Sequence, residues 1–155
     1  MTQTIFVNKI DDIIKNSKVY TVCNITYTSY INNDILSLAI MATLKEGDNA
    51  QRVIVQAYNY DLATGKDVTI SDILTIRGLD TSVVNKKINS VVKKAASDAS
   101  SVSASGYNIY QRDTASDIYD VTKVDNFMQG PNGELYIIYA YGNTSFTSEM
   151  DIIEI

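Results

Sequence analysis

A chain of 155 residues, 45% hydrophobic and 20% charged, has the length and apolar content of one domain with its own core. A net charge of −5 argues against nucleic acid or an anionic membrane as the main partner, since both call for a basic surface. With no histidine and one cysteine, Cys23, the composition excludes Ser-His-Asp and Cys-His nucleophilic schemes, histidine zinc sites, thiolate clusters and an internal disulfide.

The start, "MTQTIFVNKIDD", has neither the basic opening nor the long apolar core of a secretory leader, and no later run has the ~18 apolar residues of a membrane span. Phe6, Ile10, Ile13 and Ile14 share one helical stripe, which predicts a short N-terminal helix over 6–15. "SKVYTVCNITYTSYI" then alternates, with Val19, Cys23, Ile25 and Tyr27 on one face, and its Thr, Tyr and Val content favours a strand. The turn "NND" leads into "DILSLAIMATL", with Leu36, Leu38, Ile40, Ala42 and Leu44 on one side. After "KEGDNA" comes a third strand, "QRVIVQAYNYD". Short polar turns between the three predict an antiparallel meander.

Asp61 through Lys66 reads as a tight turn, with Gly65 the site for positive φ. Ser71 is placed to cap a helical turn over 72–74, and Asp80 or Thr81 to cap the main helix. In that helix Val84, Ile88, Val91, Val92, Ala95 and Ala99 form one stripe, and Lys86, Lys87, Lys93 and Lys94 lie opposite as a solvated face. The Ser/Ala-rich stretch 97–106 reads as a loop or frayed helix end, Tyr107–Gln111 as a short strand, and "RDTASDIYD" as irregular. A hairpin follows around Gly130–Gly133, with Leu135, Ile137, Tyr139 and Tyr141 alternating against Tyr136, Ile138 and Ala140, before a last strand in "SEMDIIEI". The expected architecture is α+β in a single domain, 1–155. An antiparallel sheet, made of the meander plus the C-terminal hairpin, packs against one main amphipathic helix and a short N-terminal helix.

The order of these features carries a resemblance. "NNDILSLAI", then "YNYDLATGKDVTISDIL", the amphipathic helix, "DNFMQGPNGELYIIYAYGN" and a closing apolar strand resemble the DUF3298 domain with its preceding DUF4163 region, over roughly residues 6 to 155. The most recognisable stretch of that family is here Asn59 to Lys66 followed by Val68 to Leu74. Many members have a histidine-containing segment between the second and third strands. This chain has Glu46-Gly47-Asp48-Asn49-Ala50 there, so no role of that histidine carries over. The family often has an earlier strand as well, which suggests a shortened relative or a piece of a longer chain. The resemblance implies extracytoplasmic placement in a Gram-positive bacterium and no catalysis by the domain itself. It also implies a cell-envelope ligand: RsiV-like relatives bind lysozyme, and others accompany a peptidoglycan deacetylase.

Tyrosine is the unusual residue, with eleven against three phenylalanines and no tryptophan. Tyr27, Tyr58, Tyr60, Tyr136, Tyr139 and Tyr141 all fall in predicted strands. A phenol brings contact area and a hydroxyl at low entropic cost, so these six are the candidate ligand-binding residues; cross-strand packing is the alternative. Asp113, Asp117, Asp120 and Asp125 cluster in one stretch without the EF-hand pattern and read as a solvated acidic loop, with weak calcium binding as the alternative. No catalytic residue, metal ligand or cofactor is expected, and no direct membrane insertion. Three functions compete: a module binding a protein or cell-wall glycan, an accessory domain positioning a neighbouring enzyme or anchor, and a carboxylate-dependent hydrolase. The last needs two acids within about 5 to 10 Å across one cleft.

Overall fold

The computed structural model describes residues 8, 11–143, 145–147 and 149–155. A two-residue turn sets the register of its first sheet. Asn33 and Asp34 take φ of 47° and 62°, a turn whose twist matches the flanking strands and which Asn and Asp tolerate better than most residues. Strands β1 (Thr21–Asn32) and β2 (Ile35–Glu46) therefore pair antiparallel without a break, Asn32 opposite Ile35 and Thr21 opposite Glu46. β3 (Arg52–Asp61) lies on the other side of β2. The Asp61 carboxylate accepts hydrogen bonds from the Ala63 and Thr64 N–H groups, and Gly65 takes positive φ, which returns the chain into the two-residue β4 (Lys66–Asp67). The sheet order is β1-β2-β3-β4.

The C-terminal strands form a second sheet, in the order β5 (Phe127–Gln129), β6 (Leu135–Ala140), β7 (Met150–Glu154). The meander and the C-terminal hairpin are thus two stacked layers. Alternation on β6 puts Leu135, Ile137 and Tyr139 on one face and Tyr136, Ile138 and Ala140 on the other. Both faces are apolar, so both need a cover. Helix α3 (Thr81–Ala104) covers the first: Val84, Ile88 and Val92 pack with Phe127, Leu135, Ile137 and Ile153, joined by Ile73 and Leu74 of α2 (Ile70–Ile76). The first sheet covers the second face, where Val53 and Val55 meet Met128 and Ile138. Helix α1, residues 11–16, lies on the far side of the first sheet, with Ile13 against Ala42 and Leu44. The predicted Phe6 and Ile10 lie outside the described residues. Among the described residues no helix is long and apolar enough to cross a membrane.

Local chemistry corrects three expectations. Thr69, not Ser71, caps α2: its hydroxyl accepts from the Asp72 N–H while the Asp72 carboxylate accepts from the Thr69 N–H, a reciprocal capping box. The Ser/Ala stretch continues α3 to Ala104, because alanine favours helix and Ser100 and Ser101 turn their hydroxyls onto the carbonyls one turn back. Tyr107–Gln111 is irregular chain rather than a strand, tied down by side-chain contacts. Asp80 caps α3 as predicted, accepting from the Ser82 and Val83 N–H groups.

Polar side chains fasten the two sheets together. Ser37 and Asn59 are buried between them. The Ser37 hydroxyl donates to Asn59 Oδ1 at 2.6 Å and accepts from the Gln129 N–H at 3.1 Å, and Asn59 Nδ2 donates to the Phe127 carbonyl at 2.8 Å. Nearby, Asn126 Oδ1 accepts from the Ala57 N–H at 2.8 Å, and Asn32 Nδ2 donates to the Gly130 carbonyl at 2.6 Å. Replacing Asn59 by Ala leaves the Ser37 hydroxyl and the Phe127 carbonyl short of a partner, and is expected to cost about 1–3 kcal/mol. Urea unfolding measures this, and an unchanged midpoint would mean that apolar contacts alone hold the sheets.

Candidate binding groove

The two sheets meet where β5 crosses β2 and β3, at the seam made by Ser37, Asn59 and Asn126. Away from that seam, toward β1 of one sheet and β7 of the other, they diverge around a groove of about 420 Å³. Thr26, Thr28 and Tyr30 of β1 form one wall with Met41 and Val55. Met128, Tyr136, Ile138, Met150 and Ile152 form the other. The volume lies within the range typical of ligand sites, and the lining is almost wholly apolar apart from threonine and tyrosine hydroxyls. Three of the chain's four methionines stand here, and their unbranched thioethers adjust readily to the shape of a guest. Ile152 remains 56% exposed. Glu154 sits directly across from Tyr136 in the β6–β7 register, so a carboxylate borders the groove at that end.

The six candidate tyrosines do not share a face. Tyr27, 75% exposed, stands at the mouth of the groove, and Tyr136 lines its wall. Desolvation, then the carboxylates of Glu154 and Glu134, push the Tyr136 phenol up, so it stays a neutral hydrogen-bonding group at physiological pH. Tyr58 and Tyr60 pair with Leu38 and Leu36, and Tyr27 with Ile40, so all three belong to the face of the first sheet turned away from the second, Tyr27 reaching the groove only at the sheet's edge. Tyr139 is a core residue on the α3 side of the second sheet, edge-on to Tyr119 with ring centroids 5.0 Å apart, and burial raises its pKa. Tyr141 belongs to a polar network described below. The sequence reading missed Tyr30 and the methionines, since nothing local marks them as facing another sheet.

That network fixes the irregular segment after α3 to the second sheet. Arg112 grips Asp151 with both arms of its guanidinium, Nε to Oδ2 at 2.6 Å and Nη2 to Oδ1 at 2.8 Å. The Tyr141 hydroxyl donates to Asp151 Oδ2 at 2.6 Å and lies 2.8 Å from the Tyr119 hydroxyl. Tyr110 stacks on Tyr141 with centroids 4.6 Å apart. Burial pulls the Asp151 carboxyl up, but the hydrogen bonds from Arg112 and Tyr141 and the Arg112 charge outweigh it and hold it below the ordinary carboxylate value. Burial and the bond to Asp151 raise Tyr141. The carboxylate is spent on these partners and is not free to act as a base.

The acidic stretch is likewise engaged locally. Asp113 accepts from the Ala115 N–H, Asp117 pairs with Lys123, and Asp120 accepts from the Thr122 N–H and hydroxyl. Lys123 draws Asp117 down, and the bonds from Thr122 draw Asp120 down. Asp61, Asp72, Asp80, Glu134 and Asp151 are likewise drawn down by hydrogen bonds from neighbouring groups. Among the described residues no group of three or more His, Cys, Asp or Glu side chains is placed to hold a metal ion. No known protein family matches the chain, and no curated protein matches it in sequence.

Two outcomes follow from these placements. The Tyr139 hydroxyl is buried without a hydrogen-bond partner, so Tyr139→Phe is expected to leave thermal stability unchanged or raise it slightly, by up to about 1 kcal/mol, and to leave ligand binding alone. A clear loss of stability by calorimetry would mean that the hydroxyl is engaged. For Asp151, the folded-state pKa lies below the unfolded one, so its contribution is complete above about pH 4 and is lost as pH falls through the folded value. Urea midpoints between pH 6 and pH 2.5 are expected to fall less steeply for Asp151→Asn than for the wild type, from a lower starting stability. Parallel curves would remove the linkage.

Proposed function

We propose that this chain is a non-catalytic binding module that works outside the cytoplasm and receives a protein ligand in the groove between its sheets. The observation that carries the reading is the groove itself: an open, apolar, methionine-lined cleft whose polar groups are hydroxyls at its walls. Such a surface suits the side chains of a protein better than a glycan, whose many hydroxyls need hydrogen-bond partners that methionine and isoleucine do not supply. The resemblance to the DUF3298 and DUF4163 domains supports the extracytoplasmic placement and makes a cell-envelope hydrolase the first ligand to try, ahead of peptidoglycan. The downward-shifted carboxylates support binding over hydrolysis.

Titration calorimetry with lysozyme and with soluble peptidoglycan fragments tests this. Ile152 is exposed enough for substitution without loss of the fold, so Ile152→Lys is the diagnostic variant. Affinity for the protein ligand is expected to fall at least about tenfold, or about 1.4 kcal/mol, with glycan fragments giving no heat. Capture of lysozyme that survives Ile152→Lys unchanged would move the site away from the groove, and heat with glycan alone would overturn the choice of ligand class.

A further inference from the structure

β1 ends the first sheet, and among the described residues no strand pairs with its outer side. Proteins usually protect such an edge by keeping it short or by placing lysine, proline or an inward-pointing charge on it. Thr21–Asn32 has none of these devices: it runs for twelve residues without Asp, Glu, Lys, Arg or Pro. The register shows which backbone groups are open. Asn32 and Ile35 flank a two-residue turn and so exchange both hydrogen bonds. Counting back by twos, Tyr30, Thr28, Thr26 and Asn24 also bond to β2, while Ile31, Ser29, Tyr27, Ile25 and Cys23 direct their N–H and C=O groups outward.

The groove adjoins this open ladder. Residues of β1 line it together with Ile152, which is exposed, and Met150, which is half-covered. A strand laid outside β1, at the usual spacing of about 4.8 Å, would send every second side chain into that gap. Charge gives the direction. Glu154 stands across from Tyr136 on the groove side of the second sheet, the Glu134 carboxylate, which accepts from Asn132, lies near the same ring, β1 is uncharged, and the chain carries −5 overall.

We infer that β1 receives an extended segment of the partner protein by strand addition. The segment's backbone pairs with the outward groups of β1, aliphatic side chains at alternate positions fill the groove, and a lysine or arginine lies beside Glu134 and Glu154. The inference rests on the groove being a protein-binding site and names how that site is used. A second copy of the chain fits less well. Two-fold pairing of β1 with its own copy would turn Asn24, Thr26, Thr28 and Tyr30 toward the groove side, mostly amides and hydroxyls facing methionine and isoleucine.

The probe is a twelve-residue peptide with isoleucine at alternate positions, threonine between them and a lysine at each end. Its controls are a scrambled version and one N-methylated at alternate backbone nitrogens. Amide exchange and methionine methyl shifts are followed by NMR. The peptide is expected to slow exchange at Ile25, Tyr27, Ser29 and Ile31 at least tenfold and to shift the methyls of Met41, Met128 and Met150; the N-methylated and scrambled peptides are expected to do neither. Tyr27→Pro removes an outward donor without touching a β1–β2 bond, and is expected to weaken the peptide at least tenfold with an unchanged circular dichroism spectrum. Should that variant fail to fold, the N-methylated peptide still decides. Shifted methyls with unchanged β1 amides would overturn strand addition while leaving the groove a binding site. No response in either would remove both. Slowed β1 amides without peptide, together with a dimer in sedimentation, would make the occupant a second copy and overturn the inference.

Discussion

The second sheet is apolar on both of its faces, and this constraint organises the rest of the molecule. Phe127, Leu135, Ile137 and Ile153 face one way, and Met128, Ile138, Met150 and Ile152 the other. Neither face can stay in water without a large loss of apolar burial. Helix α3 supplies one cover, and its Val84, Ile88 and Val92 are almost wholly enclosed. The first sheet supplies the other, and that cover is incomplete. The seam lies along β2 and β3, so burial is full at Val53 and Val55 and fades toward Ile152. The groove is the part of that apolar face which the described residues leave open.

Two sets of buried polar groups keep the layers in this offset arrangement. Apolar contacts are non-directional and would let one sheet slide over the other. Hydrogen bonds from Ser37, Asn59, Asn126 and Asn32 to backbone groups of the opposite layer permit one position. At the other side of the second sheet, the Arg112–Asp151 pair with Tyr141 and Tyr119 holds an irregular segment in place where no strand or helix does. It also takes up aromatic groups that would otherwise be available at the surface. Abundant tyrosine therefore does not make one aromatic face: part of it builds the interior, part lies on the far side of the meander, and Tyr27, Tyr30 and Tyr136 border the groove.

Among the described residues the lining of the groove is uncharged, with carboxylates near the Tyr136 end. For the proposed protein ligand, methionine walls would adjust to guests of more than one shape, and the open ladder of backbone groups alongside would add affinity independent of side-chain identity. Discrimination in the proposed site would come from alternation and from charge at the Glu134 and Glu154 end. The lysine stripe of α3 lies away from the groove. Lys86, Lys87, Lys93 and Lys94 face solvent on the opposite layer, and Lys94 pairs with Asp98 one turn on.

Local pattern determined much of this protein. Alternation in "SKVYTVCNITYTSYI", "DILSLAIMATL" and "QRVIVQAYNYD" contained the meander, the apolar stripe from Val84 to Ala99 contained the main helix, and Asp80 and Gly65 marked its cap and the preceding turn. These follow from interactions within a few residues, where the period of side-chain direction is set by the backbone itself. Tertiary structure alone decided that the strands part into two sheets, that α3 lies on the C-terminal one, and that Tyr136 lines a groove while Tyr139, three residues on, is core. Alternation states that two side chains point opposite ways, and says nothing of what awaits each. That depends on contacts such as Ser37 to Gln129, 92 residues apart, whose geometry no local period encodes.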